Sequence, residues 1–174
     1  NMENPKFDFI FLGQSILKYQ VPFNIFNSIN KIYEQNFHNL EPANSQLVGK
    51  IENEHSLFYH GQDQSKMKNH NMLPKDITTY FIEMFKHYLA FNKIRGYDLH
   101  LNSIWVNEMK QHEYNPAHIH RGMLFTGLSS VMILKLPSTY GKEYSAGHVQ
   151  QNGRLQILGA ANGQFAKIDY QPPM

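Results

Sequence analysis

The sequence predicts an α+β chain with its helices first and an antiparallel sheet after them. Three observations carry this. Apolar residues recur at helical spacing twice within the first 96 residues, the period falls to two after Gly96, and no internal repeat or low-complexity tract breaks the order.

Taken in order, Phe7, Phe9 and Phe11 alternate and predict a short strand, followed by a connection at Gly13-Gln14-Ser15. Pro22 suits a first helical turn, and Ile25, Phe26, Ile29, Ile32, Tyr33 and Phe37 predict a helix over 22–38. Leu40–Ser45 reads as a loop and Leu47–Ile51 as a short strand. The polar stretch 61–74 reads as a surface loop, with a lid as the alternative. Pro74-Lys75-Asp76 opens a second helix, whose stripe is Ile77, Tyr80, Phe81, Met84, Tyr88 and Leu89, with Gly96 expected as its C-terminal cap. Leu99–Asn107 then alternates as a strand. Leu99, Leu101, Ser103, Trp105 and Asn107 share one face, and Trp105 is expected in the core. Leu124–Leu136 predicts a long apolar strand stopped by Pro137, and Arg154–Leu158 a further short one.

Composition excludes several classes. With 174 residues the chain is the size of one domain. At 41% hydrophobic residues, with 12 Phe, 10 Tyr and 1 Trp, it is too apolar for disorder. A formal charge of +2 is too balanced to argue for nucleic acid or an anionic membrane. The absence of cysteine removes disulfide scaffolds, thiolate zinc sites and a Cys nucleophile. No apolar run reaches the roughly 20 residues of a membrane span, and the N-terminus lacks a signal-peptide layout. The expectation is a soluble, cytoplasmic protein.

Ten histidines stand out, because imidazole is both a metal ligand and a proton carrier near neutral pH. His118 and His120 are spaced so that in extended chain both rings point the same way while Ile119 points away. On spacing alone, metal binding and a chance pair both remain open. A metallo-β-lactamase-type site wants Asp at 122, which is Gly here, and an amidohydrolase barrel wants a much longer chain.

The wider context is more specific. Trp105-Val106-Asn107, Tyr114-Asn115-Pro116-Ala117-His118-Ile119-His120 and the run Gly127–Pro137 together resemble the Fe(II)/2-oxoglutarate-dependent oxygenase superfamily. The nearest likeness is to its prolyl-4-hydroxylase-like phage and marine bacterial group. The likeness extends to Gly141-Lys142-Glu143-Tyr144 and Gly153–Gly159 and covers about 100–160.

This resemblance implies a double-stranded β-helix, a jelly-roll-like barrel, packed against N-terminal helices. Residues 1–174 would form a single domain, with 1–96 as mainly helical support and 97–174 as the barrel core. It implies Fe(II) held by His118 and His120, 2-oxoglutarate as co-substrate, and hydroxylation of a C–H bond with succinate and CO2 as co-products. The substrate would be a small molecule or a peptidyl side chain such as proline. Asn107 and Tyr114 are candidates to orient the ligand rings, or plain strand and turn residues; Arg121 and Lys135 face either an anion or solvent. The family's distal His and its 2-oxoglutarate-binding Arg would fall beyond Met174, and His148 does not match the pattern. The expectation is therefore a C-terminally incomplete barrel that pairs its open strand edges in a homodimer. The alternative is a non-catalytic or cupin-like metal-binding barrel.

Overall fold

The computed structural model describes residues 5–11, 15–44, 47, 49–61, 69–118, 120, 127–143, 145–147, 149–161 and 164–172. The fold is α+β, with two helices and antiparallel strand pairs. In chain order the elements are β1 (Phe7–Phe11), β2 (Ser15–Tyr19), α1 (Phe23–Asn36), β3 (Glu41–Pro42), β4 (Asn53–Tyr59), β5 (His70–Asn71), α2 (Lys75–Phe91) and β6 (Ser103–Glu108). They continue with β7 (Ser145–Ala146), β8 (Val149–Gln150), β9 (Leu155–Ala161) and β10 (Gln164–Tyr170). The chain divides into two compact units, one of residues 21–128 and one of 1–20 with 129–174. Among the described residues, the first 96 hold five strands besides the helices. No helix among the described residues is long and apolar enough to cross a membrane.

In the unit 21–128, β4 is the central strand. β6 runs antiparallel along one edge, pairing Glu54 with Asn107 and Ser56 with Trp105, while β3 and β5 share the other edge end to end. Because successive side chains alternate, this ladder has two different faces. His55 lies on the face that meets α1, its ring 4.7 Å from Phe37 and 6.3 Å from Tyr33. α1 presents Ile25, Ile29 and Tyr33, four residues apart and all buried. Leu57 sits at a bulge between Ser56 and Phe58 and is fully buried, as is Ile77 of α2. Glu54, Ser56, Trp105 and Asn107 occupy the opposite face.

Pro22 and Pro74 both stand immediately before their helices in extended geometry. α2 ends earlier than expected and does not use Gly96 as its cap. Lys93 takes the left-handed conformation (φ 57°), its N–H bonds Ala90 O at 3.0 Å, and the Ile94 N–H bonds Leu89 O at 2.9 Å. This is the paired-bond helix stop usually built on glycine.

The strand expected at 47–51 is reduced, among described residues, to a single bridge between Lys50 and Tyr114. β4 itself was not expected, because its alternation is polar: Glu54 and Ser56 are buried without being apolar. β6 begins only at Ser103. Leu124–Thr126 lie outside the described residues. From Gly127 to Pro137 no paired strand forms, although Met132, Leu134 and Leu136 are half-buried between exposed neighbours.

In the second unit, β1 pairs β2 from Phe7↔Tyr19 to Phe11↔Ser15, and β9 pairs β10 from Gln164↔Ala161 to Tyr170↔Leu155. The Lys18 ammonium lies 5.8 Å over the Tyr170 ring. Tyr140 donates its hydroxyl to Pro172 O at 2.7 Å, and a Cβ on Gly153 (φ 64°) would fall on the Tyr140 ring.

Holding Lys93 left-handed costs about 1–2 kcal/mol for a residue with a Cβ, part of which glycine returns as unfolded-chain entropy. Lys93→Gly should therefore stabilise the protein by about 0.5–1 kcal/mol, read as a higher urea midpoint at unchanged slope. A lower midpoint would contradict this account of the helix stop.

Candidate metal site

The segment carrying His118 and His120 is placed by the turn that follows β6. Glu108 ends the strand, and Lys110–Glu113 reverses the chain, with His112 left-handed at φ 66°. The Glu113 carboxylate accepts the Lys110 N–H at 2.7 Å and the Glu52 N–H at 2.9 Å, tying the turn to the start of β4. These bonds, the Lys110 N–H first, together with the charges of Lys110 and Lys50, hold the Glu113 pKa below its ordinary value. Lys110 Nζ also meets Glu52 Oε2 at 2.9 Å.

Beyond the turn, Lys50 N–H bonds Tyr114 O at 2.8 Å and Tyr114 N–H bonds Lys50 O at 3.0 Å. Gly49 makes this approach possible. A Cβ there would collide with the Tyr114 carbonyl and lie 2.8 Å from Pro116 Cδ and 3.0 Å from Asn115 Cα.

Pro116 then orients the first histidine. His118 Nδ1 lies 2.7 Å from the Pro116 carbonyl oxygen. A carbonyl only accepts, so Nδ1 carries the proton and the neutral ring presents a lone pair at Nε2. That is the tautomer a metal ligand needs, fixed by the backbone carbonyl that commonly supports one. His118 Nε2 and His120 Nε2 converge to 3.1 Å, with ring centroids 4.8 Å apart at 77°. Without a metal, His120 donates one N–H into that lone pair. Bonds of about 2.1 Å from both nitrogens to one ion would subtend roughly 95°, an ordinary angle between adjacent ligands. The donor pair therefore fits a divalent transition ion.

The strand face already described lies against this pair. The Trp105 ring sits 5.6 Å from that of His120. Burial, and then the positive charge that a protonated His118 would place beside it, push the His120 pKa below its ordinary value. Glu54 is only 7% exposed, and its Oε2 is buried with no hydrogen-bond partner among the described residues. Burial raises its pKa, and a protonated His118 would act in the opposite sense. Asn107, opposite Glu54, likewise has a buried, partnerless Oδ1. Ser56 Oγ lies 2.7 Å from His70 Nε2.

The structure thus brings together His118, His120 and Trp105. Trp105 is 37% exposed rather than core, because it lies on the polar face of β6 against His120. Tyr114 contributes backbone, and the residue is 57% exposed. Arg121 and residues 62–68 of the expected loop lie outside the described residues, while His70 and Asn71 form β5. Lys135 is exposed and belongs to the other unit. Gly49, Glu54, Ser56 and His70 were not anticipated; the alternation of Glu54 and Ser56 was the signal available for two of them. No group of three or more His, Asp or Glu residues able to hold a metal is assembled among the described residues. A surface depression of about 590 Å³ at the end of α2, lined in part by Lys93, Arg95 and Tyr97, includes none of these site residues.

Comparison with protein-family models, with curated proteins and with solved structures finds no match to this chain.

Gly49→Ala should push the Tyr114–Pro116 segment off β4, costing about 1–3 kcal/mol and shifting the His118 and His120 ring resonances in NMR; unchanged spectra would refute the tie. Glu54 provides a second check. Its raised pKa means the folded state binds the extra proton between the ordinary 4.5 and its own higher value, so stability falls as pH rises through that window. Glu54→Gln should raise the metal-free melting temperature by a few degrees at pH 7, with the gain vanishing below about pH 4.5.

Proposed function

We propose that this chain is an Fe(II)- and 2-oxoglutarate-dependent oxygenase, with His118 and His120 as iron ligands on one wall of a double-stranded β-helix. The observation that carries it is the convergence of the two Nε2 atoms at 3.1 Å, with the His118 tautomer set by the Pro116 carbonyl. The resemblance of the Trp105–Asn107, Tyr114–His120 and Gly127–Pro137 segments to that superfamily supplies the chemistry.

Iron bound there would couple O2 to the decarboxylation of 2-oxoglutarate, giving succinate, CO2 and a hydroxylated substrate carbon. The chain's own residues bind and orient. His118 is held by the Pro116 carbonyl, and burial favours the neutral form of His120. Trp105 backs the His120 ring and shields that side from water. The β4–β6 face lies beside the pair and offers Glu54, Ser56 and Asn107 as polar groups for a ligand. A small molecule or a peptidyl side chain is the substrate class we favour. Among the described residues β6 has only β4 as a strand partner, which supports dimerisation through open sheet edges.

Anaerobic addition of Fe(II) and 2-oxoglutarate should produce a weak visible charge-transfer band that His118→Ala abolishes. Iron binding without a response to 2-oxoglutarate would instead assign a cupin-like metal protein. Binding of neither would leave a non-catalytic relative of the barrel.

A further inference from the structure

We propose that the segment Leu128–Leu136 is a self-pairing edge, which joins the same segment of a second copy of this chain antiparallel about a two-fold axis at Met132. This rests on the reading that the chain pairs open strand edges in a homodimer, and deepens it by naming the edge and its register.

Four observations single out the segment. Val131-Met132-Ile133-Leu134 is an unbroken apolar run with two β-branched residues, the composition of a strand. Burial alternates one residue at a time, with Val131, Ile133 and Lys135 exposed and Met132, Leu134 and Leu136 half-buried, which is the period of extended chain. Among the described residues its backbone makes no hydrogen bond, so its donors and acceptors are available to a further strand. The outer face is apolar, with Val131 64% and Ile133 39% exposed. An open apolar edge of this kind recruits another strand.

The symmetry of the sequence about Met132 identifies the recruit as a second copy. Gly127 and Pro137, the two strand breakers, stand equally far from Met132 on either side. Antiparallel pairing about Met132 sets Pro137, which has no N–H, opposite the partner's Gly127 and outside the ladder. Inside it, Val131 meets the partner's Ile133 and Ile133 meets the partner's Val131, so the exposed side chains cover one another. Leu128 meets the partner's Leu136. Lys135, the only charged residue of the segment, meets the partner's Ser129. Other registers are worse. An axis at Leu134 brings Pro137 into the ladder, an axis at Lys135 sets the two ammonium groups face to face, and in-register parallel pairing does the same. One strand a side is far less than the roughly 20–30 residues a side of a standard interface, so the dimer is weak and concentration-dependent.

The test uses the full chain, which contains no cysteine. Sedimentation equilibrium from about 1 to about 500 µM should carry wild type from monomer to dimer. Val131→Lys should weaken the dimer roughly tenfold or more with an unchanged monomer melt, because that side chain is exposed. Single cysteines read the register. In Met132→Cys the two copies' Cα atoms stand about 4.5–5.5 Å apart, within disulfide reach, and mild oxidant should cross-link them. In Lys135→Cys they stand about 20 Å apart and should not cross-link. If wild type stays monomeric throughout that range, the homodimer reading falls and this inference falls with it. If wild type dimerises but Val131→Lys dimerises equally well, Met132→Cys fails to cross-link, or Lys135→Cys cross-links as readily, the dimer uses another edge and this inference alone is overturned. Should Val131→Lys not fold, the two cysteine variants decide.

Discussion

The candidate site depends on one backbone contact, the reciprocal pair of hydrogen bonds between Lys50 and Tyr114. It joins the residues leading into β4 to the residues leaving the turn after β6, so the chain returns across the sheet instead of running into solvent. The contact needs a residue without a side chain at position 49, because the Tyr114–Pro116 backbone occupies the space a Cβ would take. It also needs the tight turn organised by the Glu113 carboxylate. Both conditions are met several residues before the histidines, whose convergence follows from them.

The β4–β6 ladder does two different jobs with its two faces. Toward α1 it offers His55 and Val106 to the aromatic and aliphatic residues of that helix, and apolar burial there holds the unit together. On the other side it buries Glu54 and Ser56 and leaves Trp105 partly open. Burying a carboxylate oxygen and an amide oxygen without partners works against stability. The same face holds the Ser56–His70 pair, which ties β5 to β4 beside the bulge.

Tyr33 shows how far the polar character reaches. Its hydroxyl lies near the Glu108 carboxylate without a well-formed hydrogen bond, and burial, followed by that charge, pushes its pKa well above the ordinary range. Glu108 also accepts the Asn53 side chain at 3.0 Å across the end of the ladder. Carboxylates therefore stand at the same end of β4–β6 on both faces, close to where the chain turns back toward the histidines.

Helices were legible because their signal is local. The stripe Ile25, Ile29, Tyr33 and the paired use of Pro22 and Pro74 place α1 and α2 within a few residues, and the alternation through Trp105 and Asn107 places β6. Only the stop of α2 was misplaced, since a lysine took the left-handed position where glycine was available three residues later. β10 was legible but missed, as Asn162-Gly163 between two runs is a hairpin signal. The His118/His120 spacing was likewise visible in the sequence. Their common side needs only the two-residue period of extended chain, but the 3.1 Å approach and the tautomer came from Pro116 and from backbone contacts with Lys50. β4 and Gly49 could not be read in advance, and the alternation of Glu54 and Ser56 did not by itself show that they are buried. A polar strand looks like a loop until its partners are known, and a glycine's need for space or a carboxylate's burial is set by atoms some sixty residues away. Local periodicity is a property of neighbouring residues and so belongs to the sequence, whereas close approach across the sheet exists only once the chain has folded.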